Sequence, residues 1–492
     1  MKHGICHEHV GETKDWLPTR LIDVGTAPVH LVDSNNLMRS EPYLALSHCW
    51  GKIVVLTLLQ TNLNAFQKEI PFSSLPLTFV HAMVTTRQLG YRYLWIDSLC
   101  IIQDSVDDWR HEASLMGDVY SKADCVLAAT GSRDGSEGLF HKREPIAIEP
   151  FAIQASWPSD SKKYTCIRSD VWTDGVVNAP LNQRGWVVQE RMLAPRTIHF
   201  GAKEIFWECR QLEACETLPR KIPTDLISFG SREGDGFKRW MEPIKRGADE
   251  VDGPMEAWRY VVEVYMRSAL TKGEDKLIAL SGMAIRMSIL LRDTYLAGLW
   301  KNDLVNGMVW WVEEDATGQD SRRWPSYRAP SWSWVAIDGP INYTNASGLY
   351  GHLVKILDVD VQPVGDDVMG QVRSGHIQLE GNVISIQKPV WYHAPSMNLC
   401  GKYFPDDREE SDSVEEFYAL PLGYYRITPE DEQELWGILM KTVASLPDTF
   451  ARVGFFRVSE GENVAFVGNL KPEVVENFGQ PAGMNRRIIT LV

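Results

Sequence analysis

The chain has 492 residues, 44% of them apolar and 23% charged, a globular mixture that excludes a disordered or low-complexity protein. Lys and Arg number 50 against 65 Asp and Glu, for a formal charge of −15. That balance argues against a nucleic-acid backbone or an anionic membrane as the main partner, while leaving room for a small anionic ligand held by local donors.

The chain opens with MKHGICHEHVGETKDW, which lacks the apolar core of a signal peptide. His3, Cys6, His7 and His9 in it have zinc-ligand chemistry but no second half at a sensible spacing, so no metal is expected. Leu21–Val24 and Val29–Val32 read as short strands around the turn Gly25-Thr26-Ala27-Pro28. Tyr43–Trp50 is a compact apolar run stopped by Gly51, and Phe79–Leu89 has helical spacing with Gly90 as its C-cap. Tyr91–Ile102 is nearly all apolar and short, which predicts one buried strand. A helix from Asp107 to about Ala123 and a strand over Cys125–Thr130 follow, so helices and strands alternate as in a parallel α/β sheet. Beyond a polar break at Ser156–Lys163, Phe206–Cys209 reads as a strand with one inward carboxylate, Glu208. The charged, glycine-rich Phe229–Pro254 reads as a linker, and Met255–Met287 as helical. Ile377–Ile386, Val390–His393 and Val453–Val467 predict a β-rich end, with the acidic run Asp406–Glu410 as a solvated loop.

No apolar stretch nears the ~18 residues that span a bilayer. Eight widely spaced cysteines, in a chain without a secretion signal, read as reduced and buried thiols, which implies a cytoplasmic protein. The phosphate loop, the dinucleotide glycine fingerprint, His-Glu-x-x-His and Gly-x-Ser-x-Gly do not occur in the sequence.

The helix beginning at Asp107 carries Trp109, Ala113, Met116, Tyr120 and Ala123 as one apolar stripe. At ~100° per residue, Glu112 lies roughly 60° from the centre of that stripe. It stands on the margin of the buried face, where it is either paired with an arginine, turned outward, or held in a cleft that raises its pKa and fits it for catalysis. Asp97 and Asp104 fall at and just past the end of a strand, where ligands of open α/β sheets collect. The competing reading gives them backbone N–H groups or a basic partner such as Arg184. Ser47-His48-Cys49-Trp50-Gly51 either lines a nucleotide site or turns a corner. In Leu181–Arg191, Trp186, Gln189 and Glu190 share a face if the segment is helical, and Arg184 is expected to bridge to a carboxylate of the first sheet.

Five motifs occur in one order: LPTRLIDVG (17–25), YLALSHCWG (43–51), YLWIDSLCIIQD (93–104), DWRHEASLMGDVYSKAD (108–124) and LNQRGWVVQERMLAPRTIHF (181–200). They resemble the fungal heterokaryon-incompatibility (HET) domain over residues 17–215. DKLIALSGMA, YLAGLW and YRAPSWSW resemble the region that often follows it. The resemblance implies a parallel sheet flanked by helices, distantly similar to the Toll/interleukin-1-receptor (TIR) fold. A helical or linker region at 216–325 and a mixed α+β, β-rich region at 326–492 follow.

The resemblance further implies a cell-death role in fungal self/non-self discrimination and, through the TIR likeness, cleavage of NAD at the nicotinamide–ribose bond with no required cofactor. Tyr43-x-x-Leu46-Ser47 resembles the first TIR strand, and Trp109-x-x-Glu112 the helix with the catalytic glutamate, although the TIR spacing has one more residue between Trp and Glu. Glu112 is therefore the expected catalyst, with Glu190 and Glu208 as the other carboxylates. Trp50 would stack on a ring, Ser47 and Asp97 would hold ribose hydroxyls, and Asp104 and Arg184 would complete the site. Self-association or a partner protein would be the trigger. Two other readings remain: a non-enzymatic recognition or scaffold protein, and a HET-fold enzyme of secondary metabolism using Trp310, Trp311, Trp332 and Trp334 as a pocket.

Overall fold

A computed structural model describes residues 16–144, 149–154, 163–228, 238, 253–313, 321–343, 348–365, 367–386, 402–426, 433–444, 446–459 and 486–492. His3, Cys6, His7 and His9, the expected strand Val390–His393, and nearly all of the Phe229–Pro254 linker lie outside these residues. The chain divides into two compact units, Met1–Gly253 and Pro254–Val492.

The first unit is built on an eight-stranded sheet. Its strands are β1 (Arg20–Asp23), β2 (His30–Asp33), β3 (Tyr43–Ser47), β4 (Tyr93–Trp95), β5 (Cys125–Ala128), β8 (Arg196–Phe200), β9 (Ile205–Cys209) and β10 (Glu213–Cys215); β6 (Phe151–Gln154) and β7 (Lys163–Cys166) form a separate hairpin. The spatial order is β10-β9-β8-β5-β3-β4-β1-β2. The four central strands are parallel, and each edge is an antiparallel hairpin. The fold is therefore α/β with a mixed sheet whose centre has the expected parallel pairing. Every residue of β3 is buried, as a strand covered on both faces requires.

The helices of this unit are α1 (Leu63–Phe66), α2 (Leu77–Gln88), α3 (Asp97–Cys100), α4 (Val106–Lys122), α5 (Gly185–Leu193) and α6 (Thr224–Ser228). Helix α2 ends as its sequence demands, with Gly90 at φ +83°, a conformation that favours glycine. The expected single strand Tyr91–Ile102 is not formed: β4 covers only Tyr93–Trp95, and α3 begins at Asp97. The cause is local. The Asp97 carboxylate accepts from the Ser98 backbone N–H at 2.6 Å, which competes with a continuing ladder and starts a helical turn.

Helix α4 is capped by Ser105, whose hydroxyl accepts from Asp108 N at 3.2 Å, and not by Asp107 or Asp108. Asp108 is engaged instead with Arg20 and with the Ile102 N–H. The helix buries Ala113, Met116, Val119 and Tyr120 against the sheet; the Tyr43 hydroxyl donates to the Val119 carbonyl at 2.7 Å, and Tyr120 meets Trp95 edge to face at 5.7 Å. Each such large apolar side chain contributes about 1.5–3 kcal/mol of burial.

In the second unit the expected helix Met255–Met287 is two helices, α7 (Gly253–Met266) and α8 (Ile278–Leu291), separated by a 3-10 turn at Gly273–Lys276. The β-rich part is a nine-stranded sheet with a main path Leu349–Tyr350, Phe417–Tyr425, Glu434–Thr442, Thr449–Ser459, Arg486–Leu491, Val372–Asn382 and Lys355–Pro363. The acidic run is not a solvated loop. Asp406 is fully buried against Arg452, whose Nε donates to it at 2.9 Å, and Asp407 caps a helix at Arg408–Ser413. Arg452 also donates to the Met308 and Trp310 carbonyls, so a buried cation requires the acidic partner that composition alone assigned to water.

Candidate functional site

Parallel pairing in register (Ala45 opposite Trp95, Ser47 opposite Ala128) brings the carboxyl ends of β3, β4 and β5 to one edge of the sheet. Three segments supply side chains there. Ser47, His48 and Trp50 leave β3, and the chain turns away at Gly51, where φ is +67° and a Cβ would collide with Asp134. Asp97 opens α3. Helix α5 arrives at the same edge because Leu181, just before it, donates from its backbone to the Thr130 carbonyl, two residues past β5.

At this edge the Ser47 hydroxyl donates to Glu190 Oε2 at 2.5 Å. The Glu190 carboxyl is pushed up to about 7, chiefly by burial and also by Asp97; Ser47, Arg184 and Tyr120 act in the opposite direction. The Tyr120 hydroxyl donates to the Leu46 carbonyl at 3.3 Å. Trp50 Nε1 donates to Asp97 Oδ2 at 2.7 Å, and His48 Nδ1 stands 3.7 Å from Asp97 Oδ1. Burial lowers the His48 pKa, which keeps the imidazole neutral, and its Nε2 has no hydrogen-bond partner among the described residues. Arg184 donates to the His48 carbonyl, not to a carboxylate as expected, so its guanidinium acts on this cluster without a direct ion pair. A buried carboxyl with a pKa near neutrality, a neutral imidazole, a second carboxylate and one cation make a group suited to acid–base or cation-stabilising chemistry.

The expected site residues thus separate. Ser47, Trp50, Asp97 and Arg184 come together, and with them Glu190. Glu112 does not join them. It is buried on α4 beside Arg20, whose Nη1 is 3.9 Å away, but Arg20 is committed to Asp108 and to the Cys100 carbonyl. Burial raises the Glu112 pKa against the effects of Thr19 and Arg20, and neither of its oxygens has a hydrogen bond of ordinary geometry. Asp104 lies elsewhere, accepting from the exposed Gln60 backbone at 2.9 Å.

Glu208 belongs to a third group, between α5 and the sheet. Arg191 donates to it at 2.8 Å, His199 Nε2 lies at 3.2 Å and Lys238 Nζ at 3.7 Å. Burial pushes its pKa up, but Arg191, Lys238 and His199 reverse this and hold it well below the carboxylate range. A cavity of about 200 Å³ bordered by Phe151, Val171, Phe206 and Leu218 contains none of the candidate residues.

Sequence reading gave His48 no role of its own within Ser47–Gly51 and passed over Tyr120 as a site residue. His48 carried a signal, since it follows Ser47 inside the motif YLALSHCWG; Tyr120 was legible only as part of the apolar stripe. Among the described residues no group of three or more His, Cys, Asp and Glu is arranged to hold a metal, and no helix is long and apolar enough to cross a membrane. The six described cysteines are free thiols.

The first unit is thus an α/β domain with a buried carboxyl cluster at the carboxyl edge of its parallel strands. Residues 43–190 match the family model described as heterokaryon incompatibility protein (HET). The matched span opens at the first residue of β3 and closes at Glu190, so it encloses every member of the Ser47–Glu190 cluster. At the level of the family it supports a function in heterokaryon incompatibility. No curated protein and no solved structure matches the chain.

Proposed function

We propose that this protein is a cell-death effector of heterokaryon incompatibility whose HET domain cleaves NAD at the nicotinamide–ribose bond, with Glu190 as the working carboxylate. The observation that carries the reading is the 2.5 Å contact between Ser47 and Glu190, beside Trp50, Asp97 and Arg184. Four residues expected to hold a nucleotide converge on Glu190 and not on Glu112. Trp186-Val-Val-Gln-Glu190 also has the Trp-to-Glu spacing of the TIR helix, which Trp109–Glu112 lacks by one residue.

In the reaction the bond between ribose C1′ and the nicotinamide nitrogen breaks, and its electron pair leaves with nicotinamide, which departs neutral and needs no proton. The ribose develops oxocarbenium character, which an ionised Glu190 stabilises until water adds at C1′ and releases a proton, giving ADP-ribose. Ser47 holds the carboxylate in place, and Trp50 offers a ring face to the departing nicotinamide. Self-association is the proposed trigger.

The test is incubation of the purified full chain with NAD across protein concentrations, with nicotinamide measured directly. Release that rises more than linearly with protein and disappears in Glu190→Gln supports the reading. Unchanged release in that variant, or none at any concentration, refutes it.

A further inference from the structure

The cleft of about 200 Å³ in the first unit is lined by three segments that are distant from the Ser47–Glu190 cluster in sequence. The β6–β7 hairpin gives Phe151 and Cys166, the corner between β8 and β9 gives Glu204 and Phe206, and Val171 and Gly175 come from the chain after the hairpin. Protein interiors are close-packed, so a space of this size that the chain leaves unfilled is unusual. An apolar cavity of about 150 Å³ already holds benzene, so this one has room for a body of one or two fused rings.

One wall is a π-helical turn at Thr173–Val177, in which the Asn178 N–H reaches back to the Thr173 carbonyl at 2.8 Å. Such turns are rare and concentrate at functional sites. This one presses Gly175 against Phe206 so closely that a Cβ would stand 2.2 Å from the ring. The cleft also holds a buried charge. Glu204 retains only 3% of its exposure. Its Oε2 accepts from the Thr217 N–H at 3.0 Å, and among the described residues no cation pairs with it. The two cations at the rim are spent elsewhere, Arg168 on Asp170 and Asp174 at 2.9 and 2.6 Å, and Lys203 on Asp174 at 3.6 Å. Both also reach into solvent, which weakens their pull on an anion in the cleft.

A buried carboxylate without a counter-ion, set among apolar walls, favours a cation carried on an apolar body. The rings of Phe151 and Phe206 favour the same charge. We infer that this cleft binds a protonated arylalkylamine, its ring among Val171, Phe206 and Leu218 and its ammonium on Glu204. An aromatic carboxylate of the same size is disfavoured there. None of the lining residues belongs to the Ser47–Glu190 cluster, so binding here is independent of NAD cleavage.

The test is calorimetric titration of tryptamine and of indole-3-acetate into the full chain at pH 7 and about 0.15 M salt. The two probes share a ring system and differ in charge. Tryptamine is expected to bind with a Kd below about 1 mM, and at least about tenfold more tightly than indole-3-acetate. Glu204→Gln should bring the two within about threefold by weakening tryptamine. Leu218→Trp fills the cleft and changes no charge, and it should weaken tryptamine at least about tenfold. That variant separates binding in the cleft from the general attraction of a cation to a chain of charge −15. No binding of tryptamine, equal affinity for the two probes, or full binding by Leu218→Trp overturns the inference. An undiminished preference in Glu204→Gln does so as well. If circular dichroism shows one variant misfolded, the other variant and the wild-type ratio decide the matter.

Discussion

Ser47 and Glu190 stand 143 residues apart in the chain and meet at 2.5 Å, the hydroxyl at the end of β3 donating to a carboxyl on α5. The contact ties the carboxyl edge of the sheet to the helix that closes the matched HET segment. It also holds Oε2 of Glu190 in place.

The first prediction concerns Glu190 itself. Glutamine keeps the volume and can still accept from Ser47, so Glu190→Gln should fold with an unchanged circular dichroism spectrum. It should lose at least about 100-fold in nicotinamide release, the scale of removing one pre-organised electrostatic group. A variant that keeps more than a tenth of the wild-type rate would remove Glu190 from the mechanism.

The second concerns pH. Only ionised Glu190 stabilises a developing cation, so the rate should rise with pH through a midpoint near 7. Ser47→Ala removes a donor that favours the ionised form, so that midpoint should move upward by about one unit. Stability runs the other way. The folded pKa lies above the unfolded value, so the contribution of Glu190 is full below about 4.5 and is lost as pH rises through 7. Glu190→Gln should therefore be more stable than the wild type at pH 8, by up to about 3 kcal/mol, with the gap closing near pH 5. Thermal melts at the two pH values measure it; a gap of the same size at both would show that Glu190 titrates normally.

A third prediction separates the two candidate glutamates. Glu112 is buried with its pKa raised and its oxygens poorly partnered, while Arg20 is engaged elsewhere. The ionised form is thus a burden on the fold. Glu112→Gln should melt at a higher temperature than the wild type at pH 8 and leave nicotinamide release within about threefold. Loss of activity from this variant without loss of fold would return the catalytic role to Glu112.

Much of this arrangement was legible in the residues, and the remainder has a common reason for being hidden. Apolar runs located β3, β4 and β5, glycines marked the ends at Gly51 and Gly90, and one stripe identified α4, because each signal is local. Asp97 falls within an apolar run of the sequence, but its own hydrogen bond to Ser98 N, which ends the strand, depends on geometry that periodicity does not record. The choice between Glu112 and Glu190 turned on what lies opposite each of them. That is decided by strand order and by the entry of α5 beside Thr130, and the spacing within either helix carries none of it. Asp406 illustrates the same limit: its acidic neighbours suggested water, and only the placement of Arg452 on an adjoining strand explains its burial. The abundant tryptophans resolve into packing, since among the described residues eight of the twelve largest fully buried side chains are Trp. Trp50 is not among them.

The last prediction tests the network that holds α5 on the sheet. Arg191, next to Glu190 in sequence, makes three hydrogen bonds to the fully buried Glu208, and His199 and Lys238 face the same carboxylate. Replacing Arg191 by alanine leaves that charge short of its main partner, so urea unfolding should show a loss of about 3–5 kcal/mol. The double variant Arg191→Met with Glu208→Leu removes both charges, and Lys238, already lowered to about 8 by burial, can shed its proton. It should recover most of that loss. Acid should expose the same network. Burial lowers His199 to about 4, so its stabilising effect is present above its unfolded value near 6.5 and is lost as pH falls from there toward 4; Glu208 follows at lower pH. His199→Asn should accordingly flatten the dependence of stability on pH between about 6.5 and 4. A double variant as unstable as Arg191→Ala would show that packing around the pair, and not the unpaired charge, is what the single substitution destroys.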